Sequence, residues 1–121
     1  MMVYKKNVIE SLQDMASREF QSIAWFENDQ NLCSSYNDIV EAVFMDTGLE
    51  KALDAGEIVF GKEADAALRD LDNTTDAIGY HRDERELINS PEMQIVREKA
   101  AKALALIEAS DGSESTVEII E

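Results

Sequence analysis

One histidine and one cysteine bound the chemistry open to this chain of 121 residues. His81 sits in the run Gly79-Tyr80-His81-Arg82-Asp83-Glu84, the most chemically varied stretch of the sequence. A lone histidine can act as a general base, and with Cys33 or a serine it could form a nucleophilic pair. No local signature supports either role, and the run reads as a turn between helices. His81 then lies near the negative end of the preceding helix and Asp83 caps the next. Cys33 has no basic neighbour in sequence to lower its pKa and reads as a small, partly buried side chain. A structural zinc site needs four Cys or His ligands, and the paired Glu-x-x-His motifs of a helical di-iron site need two histidines, so neither metal centre is expected. The five glycines, at 48, 56, 61, 79 and 112, never approach the spacing of a phosphate or dinucleotide loop. Asp70, Asp72 and Asp76 in DLDNTTD share part of the spacing of a calcium loop. Thr75 stands where the turn glycine belongs, His81 stands where the bidentate glutamate belongs, and Leu71, Thr75 and Ile78 fit a helical stripe instead. No catalytic residue, metal ligand or cofactor is therefore assigned.

The elements that would carry any site follow from hydrophobic spacing. From about Tyr4 to Glu27, Ile9, Leu12, Ala16, Phe20 and Ile23 recur at helical steps and predict one long helix. The polar run at 28–35 breaks it, and Ser35 with Asp38 forms a capping box for a helix whose buried stripe is Tyr36, Ile39, Val40, Val43 and Phe44. Thr47 with Glu50 reads as a second box, opening a short helix through Leu49, Ala52 and Leu53 that ends at Gly56. Ile58, Val59 and Phe60 are too few for a sheet and predict a loop plugged into the core. Phe60, Ala64, Ala67, Leu68, Leu71, Thr75 and Ile78 line the strongest helix, from about Lys62 to Ile78, with Gly79 as its C-terminal cap and an Asp65–Arg69 pair on its outer side. Asp83 and Glu86 cap a single turn around Leu87 and Ile88. Ser90 and Pro91 then announce a final helix with Met93, Val96, Ala100, Ala103, Leu104 and Ile107 inside. The fold class is all-α: a single-domain bundle of four to five helices over residues 1–110, with no confident strand, followed by an acidic tail at 111–121 expected to be loose and flexible.

Charge supplies the functional expectation. The formal net charge is −15, and it is uneven: residues 27–76 carry thirteen acids against three bases, a balance of −10, while residues 1–26 are neutral. No basic stripe exists to neutralise phosphates, so neither nucleic acid nor an anionic membrane surface is an expected partner. No stretch is long and apolar enough for a membrane span or signal core, and with one cysteine the expected location is cytoplasmic. Asp38 and Glu41 on the second helix, Glu50 and Asp54 on the next, and Glu57 beyond them form a candidate negative patch. Two apolar residues stand off their stripes: Met45, beside Asp46, and Trp25, which cannot face the core together with its neighbour Phe26. Phe26 is expected inside and Trp25 against the 28–35 loop or half exposed as an anchor for a partner. The expected function is a non-catalytic module that binds a basic protein, most concretely an immunity- or antitoxin-like protein neutralising a nuclease toxin. The alternatives are an enzyme or metal-dependent regulator using the Tyr80 to Glu84 turn, and a structural or assembly module whose acidity is general adaptation.

Overall fold

The computed structural model describes residues 1–27, 35–80 and 82–121. The fold is all-α, with seven helices and one very small sheet among the described residues: β1 (Met2–Tyr4), α1 (Lys5–Ala16), α2 (Arg18–Phe26), α3 (Tyr36–Phe44), α4 (Leu49–Asp54), α5 (Lys62–Ile78), α6 (Glu84–Leu87), α7 (Pro91–Ala109) and β2 (Glu118–Ile120). The two longest helices, α5 and α7, pack on each other, and α1 packs against both α7 and α3. Their shared interior holds Leu12, Phe44, Leu68, Leu71, Met93 and Ile107, all nearly inaccessible to water. No described helix is long and apolar enough to cross a membrane.

The stripes expected for α3, α4, α5 and α7 are the faces the structure buries. Ser90 accepts the Met93 amide 3.1 Å away and Pro91 opens α7, while Ser35 and Asp38 close a reciprocal capping box on α3. Three local readings are corrected. The single N-terminal helix is two, because Ser17 is extended and its hydroxyl caps α2 by accepting the Phe20 amide. The break moves the buried face to Val8, Leu12 and Met15, leaving Ile9, Ala16 and Phe20 only partly covered. Thr47 does not form a box with Glu50; it is fully buried, donates to the Val43 carbonyl at 2.6 Å and accepts from the Leu49 amide. Asp65 does not pair with Arg69. Its two oxygens accept the buried amides of Val59 and Phe60, at 2.8 and 3.0 Å, and Arg69 donates to the Leu53 carbonyl.

That carboxylate explains how the 56–61 loop enters the core. Val59 and Phe60 are buried, so their amides must be satisfied internally, and Asp65 in the first turn of α5 does it. The same loop holds the last residues of the chain. Ser110 and Ser115 donate to the Phe60 and Val59 carbonyls, and the Thr116 amide donates to the Ile58 carbonyl at 2.7 Å. The 111–121 segment, expected as a loose tail, thus turns back and ends in β2, which pairs in parallel with β1 in the register Met2 to Glu118, Val3 to Ile119 and Tyr4 to Ile120. The other edge of β1 lies against the 45–48 turn, where the Tyr4 amide donates to the Thr47 carbonyl. Gly48 permits that approach: its φ is +80°, and a Cβ there would stand 2.6 Å from the Met2 carbonyl oxygen.

Candidate functional site

Helix α4 is six residues long and places Glu50 and Asp54 one turn apart on its outer side. Helix α5 presents Asp72 and Asp76 at the same four-residue spacing. Like charges so spaced repel along each helix, and here the two rows also lie close enough to act on each other. Burial raises the Asp72 carboxyl to about 6, with Asp76, Glu50 and Asp54 adding to the effect. Glu50 is raised by burial first and then by Asp54 and Asp76. The Tyr36 phenol, which donates to the Thr75 carbonyl, is pushed up by burial and by Asp76. Four carboxylates are therefore concentrated on α4 and α5, and none of them is in an ion pair among the described residues, although Arg69 reaches from α5 to the Leu53 carbonyl of α4.

The residues singled out from the sequence divide into groups. Glu50 and Asp54 belong to this cluster. Asp38, Glu41 and Met45 follow one another along one face of α3, at steps of three and four residues. Asp38 is exposed but also accepts the Ser35 amide at 3.0 Å, while Met45 is 57% exposed at the helix end. Glu57 turns toward the end of the chain, where its carboxylate accepts the Thr116 hydroxyl. Trp25 and Phe26 exchange their expected places: Trp25 packs against the core with its indole N–H buried and without a partner among the described residues, and Phe26 is 39% exposed, the two rings meeting edge to face. The 28–34 part of the loop expected to cover Trp25, including Cys33, lies outside the described residues, as does His81.

Asp72 and Asp76 are the members that sequence reasoning missed as part of the patch. Their spacing was visible, but only the fold shows which side of α5 looks at α4. On either side of position 81 the turn has structural employment. Arg82 lies 3.4 Å from Glu92, Asp83 accepts the Arg85 amide as the cap of α6, and Glu84 accepts the Tyr36 amide. The run DLDNTTD is helical throughout, and Asp70 points to Lys99, 3.1 Å away. No group of metal-ligating side chains capable of holding an ion occurs among the described residues. No protein-family model matches this sequence, no curated protein matches it, and no solved structure matches its fold.

Proposed function

We propose that this chain is a non-catalytic binding module whose acidic surface, centred on Glu50, Asp54, Asp72 and Asp76 and flanked by Asp38 and Glu41, receives a positively charged protein. The observation that carries this reading is the convergence of two like-charged rows from different helices, partly withdrawn from water. Such an arrangement opposes folding, and residues kept against stability are those that function requires more often than those that merely keep a chain soluble. A cationic partner would relieve the repulsion on contact, and the field of the patch would speed its approach. An immunity- or antitoxin-like role is the most concrete version, because a nuclease binds phosphates with basic side chains and a carboxylate surface can occupy the same positions.

The test compares the native chain with a variant carrying Glu50→Gln, Asp54→Asn, Asp72→Asn and Asp76→Asn. The variant is expected to be more stable to heat, and to lose basic proteins that the native chain captures from the source cell at low salt and releases at high salt. Identical captured proteins and identical association rates for the two chains would remove this reading and leave the acidity as general adaptation.

A further inference from the structure

Seven large apolar side chains stand exposed among the described residues, and four of them are Met2 and Tyr4 of β1, Met1 just before it and Met45 in the turn beside it. The strand pair explains the concentration. Alternation turns Val3 inward, where it is fully buried, and Met2 and Tyr4 outward, at 51% and 41% exposure. Partners in a parallel pair point to the same side, so Ile119 joins Val3 in the core and Ile120 stands beside Tyr4 on the outside. Parallel sheets are normally covered on both faces, and this one is covered on one. The Tyr4 to Thr47 hydrogen bond and the close approach of Met2 to Gly48 hold the 45–48 turn, which Met45 opens, against the free edge of the strand.

The charges around that face decide what fits it. Asp46 follows Met45, Glu118 stands opposite Met2, and Glu121 follows Ile120, all exposed. Lys5, at the start of α1, lies 3.9 Å from Glu121, and Lys51 is exposed on α4, so the balance at the rim remains negative. A second copy of this chain would set the same acids against one another across the contact, at a net charge of −15 on each side. We infer that the outward face of β1 and β2, with Met45, is a docking surface for a cationic amphipathic segment, whose apolar side covers Met2, Tyr4, Ile120 and Met45 while its Lys and Arg side chains meet Asp46, Glu118 and Glu121. Methionines suit the task, since their flexible thioethers adapt to different apolar shapes. The inference rests on the proposed preference for basic partners and adds the apolar anchor that gives such a partner its grip.

The experiment uses two synthetic peptides of equal length and charge, one a Leu/Lys amphipathic helix and the other a Gly/Ser/Lys chain without apolar residues. Their binding is measured to the native chain and to a Tyr4→Ser/Met45→Ser variant, whose changes fall on exposed side chains. The native chain is expected to prefer the amphipathic peptide by a factor on the order of ten, the variant to lose that preference, and both chains to bind the polar peptide equally. The preference should survive added salt, which weakens both peptides through their charges alone. Equal affinity of the native chain for the two peptides, or an undiminished preference in the variant, overturns the apolar face while leaving the acidic surface standing. A native dimer in sedimentation that the variant dissociates overturns it in favour of a second copy. Failure of the acidic reading has a different signature: a polar peptide that binds the native chain no better than the chain carrying the four amide substitutions.

Discussion

Asp65 shows how much one side chain can carry in a fold with so little sheet. It is buried, yet both oxygens accept backbone amides of the loop that fills the core between α4 and α5. Asp65→Ala leaves two buried donors without partners and should cost about 3 kcal/mol in urea unfolding, whereas Asp65→Asn keeps one acceptor and should cost roughly half as much. A loss below about 1 kcal/mol for Asp65→Ala would show that the loop finds other partners. The sequence made the loop legible through the apolar run Ile58, Val59 and Phe60 between two glycines. It did not make the role of Asp65 legible, because its spacing from Arg69 suggested an ordinary helical ion pair. The preference for the loop is physical: an exposed pair is worth a few tenths of a kcal/mol, while two buried amides left unmet cost several times as much. Trp25 and Phe26 were unreadable for a related reason, since the stripe that ranked them assumed an unbroken helix.

At the scale of elements, the break at Ser17 is the largest departure from periodicity, and a seam of polar side chains holds it in place. Gln21 is fully buried and donates its amide to the Asp14 and Met15 carbonyls at the end of α1, the first of them shared with the Ser17 amide. Its oxygen accepts Arg97 Nε at 2.8 Å, and the same guanidinium donates to the Ile88 carbonyl and to Gln94, so α1, α2, α7 and the turn before α7 meet at one group. Arg97 is 6% exposed and makes no ion pair among the described residues; burial, with Arg18 close by, lowers its pKa from the usual guanidinium value. Gln21→Leu should therefore destabilise by about 2–4 kcal/mol, and adding Arg97→Met should restore part of the loss, because the stranded charge is removed with its acceptor. Strictly additive losses in that double-mutant cycle would mean that the two residues act separately. The helices α3, α5 and α7 were legible because caps and stripes agreed in each. The seam was not, since a buried glutamine and arginine look in sequence like two more surface positions.

For the whole molecule, the acid-rich middle was legible as a count and illegible as a place. Counting located the charge between residues 27 and 76; folding gathered part of it between α4 and α5 and sent Glu57 elsewhere. The gathering makes stability depend on pH in an unusual direction. Asp72 has a folded-state pKa of about 6 against an ordinary 3.8, so the folded chain holds this proton more tightly than the unfolded one. The resulting penalty is complete above about pH 6 and disappears as the pH falls toward 4. Glu50 and Asp14, both raised, act with the same sign. The melting temperature should be higher at about pH 5 than at about pH 7, and Asp72→Asn should raise it at the upper pH and flatten the dependence. A melting temperature that falls on acidification, in parallel for both chains, would contradict the clustering. The strand pair has a kinetic consequence. The hydrogen bond from the Glu118 amide to the Met1 carbonyl closes almost the entire chain into a loop, and closure entropy makes such a contact a late event. Helices built from neighbouring residues should assemble ahead of it, so the methionine and tyrosine of β1 are expected to gain their platform late in folding, on a frame the helices have already raised.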